Sequence, residues 1–342
     1  MYKKIGDILA DREIRVGKIT TKPGEKKNLW LQVGENQDST PIKLPVAVIN
    51  GVSPGPVLYI QAALGGSQLN TISVARRIMM ETEPSELSGG IIATLIVNYF
   101  GFHHDPPVNW SNKDGSYPLH LNRIYPGRSD GRSSERIIHR VFNEIVPQSN
   151  YVIDVHQMGT MQSVNRVNVR VASGEPYYKE AFELARVYGT GFILDEKEKN
   201  PNVEGRLAWQ ATNRGIPAID PELAGSRGWD ENTICVGVKG ICNVMKHLKM
   251  IEGEPEIPDK QLVASKLKII RANRGGFIEH KAHLGTIVEK DEVISEISDP
   301  FGNVLEHVRS PEEGVLWALP EYPMLCTGQV VAMIGTIISY IE

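Results

Sequence analysis

Four short groups of polar residues follow apolar runs or lie in a long loop, and their side chains could do chemistry. The groups are residues 65–70, 120–123, 154–156 and 221–222. A polar side chain that comes directly after a buried strand is well placed to point into a ligand crevice. The groups are distant in sequence, so we expect them to act together only if the fold brings them to one edge of a sheet.

Two of these groups have a clear chemical use and an ordinary structural alternative. Asp154 and His156 could hold a metal ion or perform acid–base chemistry, or His156 could merely cap a loop at a strand end. Asn122 and Arg123 place an amide beside a guanidinium, which suits the binding of a carboxylate. The alternative for that pair is an ordinary surface turn.

The remaining candidates are a glutamate and two loop histidines. Glu222 could be a general base or the partner of a buried arginine. His103 and His104 are most simply a solvated pair in the loop between 102 and 132. The motifs GxGxxG, GxxxxGK[ST], GxSxG and HExxH do not occur, so the sequence does not support nucleotide binding or serine hydrolysis.

The elements that must position these residues are organised around residues 56–80. The apolar run 57–64 predicts a buried parallel strand, Gly65, Gly66 and Ser67 predict a turn, and the periodicity after them predicts an amphipathic helix. Further strands are predicted at 91–97, 150–155, 167–171 and 216–219, and helices at 176–188, 202–213 and 233–248. This alternation over 46–250 is typical of a mostly parallel or mixed sheet with helices on both faces.

Two flanking segments differ in pattern from this α/β region. Residues 1–45 hold short strand-like runs and could pack with the β-rich tail. After the charged linker 252–260, residues 260–342 alternate short strand runs with Gly and Pro turns, which predicts a small β-sandwich or barrel. This tail could gate a pocket or build a homo-oligomer contact, and its sequence does not choose between them.

Composition excludes several functional classes. The chain has 342 residues, 23% charged residues and a net charge of −4, so no basic footprint favours nucleic acid. It contains no run of about 18 apolar residues and no signal-peptide core, so we expect a cytoplasmic protein without a membrane span. Its three cysteines form no CxxC pair, which argues against a disulfide framework or a cysteine zinc site.

Five phrases, taken in order, resemble one family. They are PGPVLYIQAALGGSQLNTISVARR, NYFGF, HLNRIYPG, YVIDVHQ and AIDPELAG. Together they look like the succinylglutamate desuccinylase/aspartoacylase family of carboxypeptidase-like zinc hydrolases. The resemblance covers about residues 50–250, and it implies a zinc carboxypeptidase-like α/β fold and an N-acyl amino acid deacylase.

The resemblance also implies roles for individual residues. The third zinc ligand falls on His156, the carboxylate-binding pair on Asn122 and Arg123, and the water-activating base on Glu222. The family's first turn reads His-Gly-x-Glu, and its two zinc ligands fall on Gly65 and Gln68 in this sequence.

These departures bear directly on the metal. A catalytic zinc site needs three protein ligands, Gly65 has no side chain, and a neutral amide is a poor zinc ligand. The family's Asp before the Asn-Arg pair is also replaced, by His120. We therefore expect no tight zinc site at His156 alone.

Three hypotheses follow for a pocket that binds a small carboxylate or N-acyl amino acid. The first is a metallohydrolase with a rebuilt site, in which His120, His103 or His104 supplies the missing ligands. The second is a metal-free enzyme that uses Glu222 with His156 or His120 as acid and base. The third is a non-catalytic protein that binds carboxylates.

Overall fold

The computed structural model describes residues 13–104, 120–158, 161–171, 174–196, 203–225 and 228–341. Three sequence predictions therefore lie partly outside the described residues. They concern the first twelve residues of the N-terminal segment, residues 105–119 of the long loop, and the beginning of the helix expected at 202–213.

Within the described residues, twenty strands form one large sheet and two small ones. In chain order they are β1 (Ile14–Val16), β2 (Ile19–Thr21), β3 (Glu25–Glu35), β4 (Pro41–Asn50), β5 (Ser53–Gln61), β6 (Ser88–Thr94), β7 (Tyr151–Asp154), β8 (His156–Gln157), β9 (Met161–Ser163), β10 (Arg166–Val169), β11 (Phe192–Asp195), β12 (Ala218–Leu223), β13 (Gln261–Arg271), β14 (Gly276–His280), β15 (Ile287–Val288), β16 (Val293–Ser298), β17 (Val304–Arg309), β18 (Gly314–Pro320), β19 (Met324–Leu325) and β20 (Val330–Ile341).

The large sheet is mixed and has 14 strands among the described residues. Its main path runs β15-β18-β20-β13-β11-β10-β12-β7-β5-β6-β4-β3, with β8 beside β12 and β9 beside β18. Strands β6, β5, β7 and β12 are parallel neighbours, as are β10, β11 and β13, whereas β10 and β12 are antiparallel. The mixed α/β sheet predicted from the sequence is therefore confirmed.

In the described ranges, six α-helices cover the two faces of the central sheet. They are α1 (Leu69–Glu81), α2 (Tyr99–Phe102), α3 (Ser133–Arg140), α4 (Tyr178–Tyr188), α5 (Leu207–Thr212) and α6 (Glu231–His247). Helices α1, α4 and α6 contribute to one hydrophobic core, and α3 and α5 contribute to the other. No helix among the described residues is long and apolar enough to span a bilayer.

The stretch at 56–80 folds as its pattern predicts. The apolar residues of β5 are fully buried between β6 and β7, and the chain then turns and enters α1. A side chain at Gly66 would lie 2.1 Å from the backbone of Gly101, so this turn packs directly against the segment after β6. Gly66 is therefore required by close packing.

The flanking segments show two differences from a simple domain division. Strand β3 pairs with β4 and lies at the opposite end of the large sheet from β15. The tail, which is predicted as a small all-β unit, has an antiparallel sheet of its own and also joins the central sheet. Its strand β13 pairs in parallel with β11, so β13, β20, β18 and β15 extend the central sheet, while β14, β16, β17 and β19 form a small antiparallel sheet.

A third difference concerns the strand that carries Glu222. The sequence predicts that this strand ends at Ile219, but β12 continues to Leu223. Its second half is held by β10 on one side and β8 on the other. Glu222 therefore lies within the sheet instead of in the loop after it.

Candidate active site

Three polar side chains lie in one row across neighbouring strands. Glu222 on β12 is directly opposite His156 on β8 and directly opposite Arg166 on β10. Residues opposite each other in a sheet project from the same face. Glu222 makes a 3.5 Å ion pair with Arg166, whose side chain is 5% exposed. The strand pairing therefore brings an imidazole, a carboxylate and a guanidinium together.

A buried hydrogen-bond network orients His156 from behind. Its Nε2 lies 2.9 Å from Oδ2 of Asp154, and Gln61 donates from Nε2 to Oδ1 of Asp154 at 2.8 Å. The hydroxyl of Tyr125 donates to Oε1 of Gln61 at 2.7 Å. Burial lowers the pKa of His156, but the charge and hydrogen bond of Asp154, aided by Glu222, outweigh it and raise the pKa overall.

A second polar cluster lies beside this row. Arg170 donates from Nε to Oδ2 of Asp220 at 2.8 Å and pairs through Nη1 with Glu196 at 3.1 Å. Arg206 lies 3.7 Å from the same Asp220 oxygen, and its buried Nε has no hydrogen-bond partner among the residues that the structure describes. One carboxylate therefore serves two guanidinium groups.

The predicted carboxylate-binding pair lies next to this cluster. Asn122 and Arg123 belong to a 3₁₀ turn, Leu121–Arg123, in which His120 Nδ1 accepts a hydrogen bond from the backbone N–H of Asn122. Asn122 is 4% exposed, and its buried Oδ1 has no hydrogen-bond partner in the described part of the chain. Gly205 packs against the backbone of Arg123, where a Cβ would lie 2.2 Å from the Arg123 carbonyl oxygen. This close approach sets Arg206 beside the turn.

The pKa values of this region record the crowding of positive charge. Burial lowers the pKa of Arg206 to about 10, and Arg170 and Arg123 lower it as well. Burial and Arg170 likewise lower the pKa of Arg123. Loss of solvent lowers the pKa of His120 to about 4, aided by Arg123. His120 is therefore neutral near pH 7, and a bound anion would relieve the repulsion among the arginines.

The residues at the expected metal position do not fit a catalytic zinc ion. Gly65 contributes only its backbone N–H, which donates to Oε1 of Gln68 at 2.8 Å. Nε2 of Gln68 donates to the carbonyl oxygen of Gln157 at 2.7 Å and lies 3.5 Å from Nδ1 of His156. Both ends of this amide are thus engaged with protein groups, and His156 is the one zinc-type ligand at the position. We therefore assign no chemical step to a metal.

The substitute ligands considered for a rebuilt site do not complete it. Among the described residues, no group of three or more His, Cys, Asp or Glu side chains could hold a metal ion. His103 is exposed, its Nδ1 lies 2.7 Å from the carbonyl oxygen of Tyr99, and its ring packs on that of Tyr99. His120 instead caps the turn that carries Asn122.

Seven residues of this site are absent from the sequence-based candidates, and they are Gln61, Tyr125, Arg166, Arg170, Glu196, Arg206 and Asp220. A signal for two of them was present. The run RVNVR at 166–170 alternates apolar and polar residues, which places Arg166 and Asn168 on one face of β10, and Arg170 follows directly after the strand. Arginines in a strand that is buried on both sides must face partners or a ligand.

Comparison with known proteins agrees with this architecture. The catalytic-domain profile of the succinylglutamate desuccinylase/aspartoacylase family matches residues 54–248. N-α-acetyl-L-2,4-diaminobutyric acid deacetylase of Halomonas elongata is 22% identical over 308 residues, which cover 87% of each chain.

Solved structures show the same fold. A succinylglutamate desuccinylase from Silicibacter sp. has a TM-score of 0.80 at 20% identity and covers 92% of this chain and 95% of its own. The product-bound ectoine utilization protein EutE (DoeB) from Ruegeria pomeroyi also has a TM-score of 0.80 at 20% identity and covers 91% and 95%. The non-catalytic hypothesis gains no support from these relatives.

The family profile covers more than half of the chain, and its span includes every residue of the row and of the arginine cluster. The sheet order, the polar row on β8, β12 and β10, and the matched profile lead to one assignment. The chain belongs to the succinylglutamate desuccinylase/aspartoacylase family.

Proposed function

We propose that the protein is a deacylase that hydrolyses the amide bond of a small N-acyl amino acid and binds the free carboxylate of that substrate with Arg123 and Arg206. The observation that carries the proposal is the crowded guanidinium of Arg206, which lies by Arg123 and Arg170 and has, within the described part of the chain, a single ion pair at 3.7 Å. A carboxylate accepts charge-assisted hydrogen bonds from guanidinium N–H groups such as those of Arg206. The named relatives, which act on acylated amino acids, support the same substrate class.

Charge balance favours a ligand with a single negative charge. Among the described residues, the cluster and the adjoining row bring four guanidinium groups against three carboxylates, those of Glu196, Asp220 and Glu222. The carboxylate of Asp154 is directed at His156 and Gln61, away from the arginine cluster, so it is left out of this count. An N-acyl amino acid with a neutral side chain supplies the missing negative charge.

The unpartnered amide oxygen of Asn122 offers a second contact. It is a buried acceptor on the residue whose backbone carbonyl oxygen accepts a hydrogen bond from Nη1 of Arg123 at 2.8 Å. Buried acceptors without partners are costly, so a ligand that donates an N–H here gains binding energy. The N–H of the substrate amide is such a donor, and it lies close to the carboxylate in any N-acyl α-amino acid.

The chemical step is assigned to Glu222, whose one ion pair to a residue that the structure describes is the 3.5 Å contact with Arg166. In this proposal its carboxylate takes a proton from a water molecule as the water oxygen attacks the acyl carbonyl carbon. The proton then passes to the amide nitrogen as the C–N bond breaks, which releases a carboxylic acid and the free amino acid. Arg166 is a fixed cation beside the negative charge that develops on the carbonyl oxygen.

A binding measurement tests the carboxylate contacts of Arg123 and Arg206, and a turnover measurement tests hydrolysis of the amide bond. N-acetyl amino acids with neutral side chains should raise the unfolding temperature of the purified protein, and their methyl esters should not, because an ester removes the charge that Arg123 and Arg206 bind. Equal stabilisation by acid and ester would contradict the carboxylate assignment. Release of primary amine from the acids, measured with fluorescamine, tests hydrolysis, and its absence across the panel would contradict the reaction.

A further inference from the structure

The side chain of Gln68 joins two segments that would otherwise be independent. It lies at the turn between β5 and α1, and it reaches the backbone of β8 through the carbonyl oxygen of Gln157 at 2.7 Å. The same side chain closes its own turn by accepting from the N–H of Gly65 at 2.8 Å. Gln68 is 7% exposed, so these bonds form away from bulk water.

The orientation of this amide follows from its partners. A backbone N–H can only donate, so the atom that faces Gly65 must be the oxygen. A backbone carbonyl can only accept, so the atom that faces Gln157 must be the nitrogen. The two contacts agree on one orientation, and that orientation directs an N–H-bearing nitrogen toward His156.

His156 faces a donor at the position where a metal would need its lone pair. Its Nε2 is engaged with Asp154 at 2.9 Å, which leaves Nδ1 as the free ring nitrogen. Nδ1 lies 3.5 Å from the amide nitrogen of Gln68. Metal ligands in histidine sites are commonly oriented by a carboxylate on the other ring nitrogen, and that support remains in this chain. The group on the ligating side is an amide N–H instead.

We infer that Gln68 takes the structural place of a bound metal in this chain. Its amide joins the Gly65 turn to β8 and occupies the Nδ1 side of His156, so the site is organised without zinc. This inference goes beyond the proposed function, because it concerns what holds the site together and not which substrate enters it. It is tested by metal content and stability, so its failure would leave the carboxylate assignment intact.

The first experiment uses the wild-type protein. After purification in the presence of zinc and desalting, metal analysis should find clearly substoichiometric zinc. The unfolding temperature should be the same with added zinc and with EDTA. Stoichiometric zinc, together with a zinc-dependent rise in unfolding temperature that His156→Ala abolishes, would overturn the inference.

The second experiment alters the amide itself. Gln68→Glu places a carboxylate against the carbonyl oxygen of Gln157, so it should lower the unfolding temperature, and zinc should not restore it. Gln210→Glu is the matched control, because Gln210 also donates from Nε2 to a backbone carbonyl, that of Glu204, but at an exposed position. Equal stabilities of the two variants would contradict the role of Gln68.

The third experiment restores a zinc-type ligand set. Gly65→His combined with Gln68→Glu should bind stoichiometric zinc and gain stability from it. A folded double variant that binds no zinc would overturn the placement of Gln68 at the metal position. If the double variant does not fold, Gln68→Leu decides the structural claim. It should lose stability relative to wild type whether or not zinc is present, and undiminished stability would refute the claim.

Discussion

Glu222 and His156 face each other across the parallel pairing of β12 and β8, although 65 residues separate them in the chain. Arg166 occupies the corresponding position on the other neighbour of β12. Glu222 is therefore the middle residue of a three-strand row, with one cationic or protonatable side chain on each side. The carboxylate of Glu222 therefore lies at the centre of the site. Among the described residues its one ion pair is the 3.5 Å contact with Arg166.

The central position of Glu222 predicts a selective loss of turnover in Glu222→Gln. The amide keeps the shape of the side chain but cannot take a proton, and loss of a general base typically costs about a hundredfold or more in rate. Substrate affinity should change little, since the proposed carboxylate contacts are elsewhere. Steady-state kinetics with a responsive N-acyl amino acid would measure this, and an unchanged kcat would exclude Glu222 from the reaction.

Replacement of Arg206 should affect binding instead. Arg206→Gln removes one charge-assisted contact, which is worth roughly 1.5–3 kcal/mol, or about a ten- to hundredfold weaker Kd. Isothermal titration with the N-acyl amino acid would show the difference. Arg271→Gln is the control, because Arg271 is an exposed arginine of β13 that donates to the carbonyl oxygen of Gly328. An affinity change of equal size in both variants would show that the effect is general electrostatics.

Asp220 is the anchor of the arginine cluster, and Asp220→Asn should destabilise the fold. The substitution leaves Arg170 and Arg206 without their shared carboxylate, and removing one partner of a buried ion pair costs about 3–5 kcal/mol. Urea unfolding would measure the loss. Glu254→Gln breaks the exposed pair with Lys249 and should cost less than about 1 kcal/mol. Similar costs for the two variants would show that the buried cluster contributes no special stability.

The same carboxylate predicts a direction for the acid dependence of stability. Burial raises the pKa of Asp220, but Arg170, His156 and Arg206 outweigh burial and hold the pKa below its usual value of 3.8. A carboxyl group with a depressed folded-state pKa contributes stability above its unfolded pKa, and that contribution is lost as the pH falls through the folded pKa. Wild type should therefore lose more stability than Asp220→Asn below about pH 4. Acid unfolding of the two proteins would measure this difference. An equal loss of stability in wild type and Asp220→Asn would contradict the role of Asp220.

The pKa values of the two histidines of the site should be shifted in opposite directions. The pKa of His120 falls from 6.5 to about 4, whereas that of His156 is raised. The stability that neutral His120 contributes therefore decreases as the pH falls from about 6.5 toward 4. The stability that protonated His156 contributes is fully present at low pH and decreases as the pH rises through the folded-state pKa of His156. NMR titration, assigned with His120→Gln and His156→Gln, would show this order. A His120 signal that titrates above that of His156 would refute it.

Local patterns were enough to predict most of the central elements. The apolar run and Gly turn at 57–67 predicted β5 and the start of α1, and the stripe at 233–248 predicted α6 at Glu231–His247. These features depend on neighbours a few residues apart, so periodicity records them. The pattern of residues 260–342 predicts strands but does not show that β13 pairs with β11, because short strands have the same pattern whichever strand they pair with.

The arginine cluster could not be derived in the same way. Arg123, Arg170 and Arg206 come from a 3₁₀ turn, the residue after β10 and the residue before α5. Nothing in a single sequence states that these positions meet, because strand order and loop packing decide it. The alternation at 166–170 showed only that β10 has a polar face.

The sequence by itself determined the fold class, the resemblance to one family, and the residue types at 65 and 68, where a glycine and an amide replace zinc ligands. These follow from local periodicity and from the identity of single side chains. Tertiary structure alone decided that the amide of Gln68 forms hydrogen bonds with Gly65 and Gln157. It also decided that Glu222 lies between His156 and Arg166. In the same way, only the folded chain brings Arg206 and Arg170 to one carboxylate. Hydrogen bonds and ion pairs extend only a few ångströms, so they exist only after distant strands have paired.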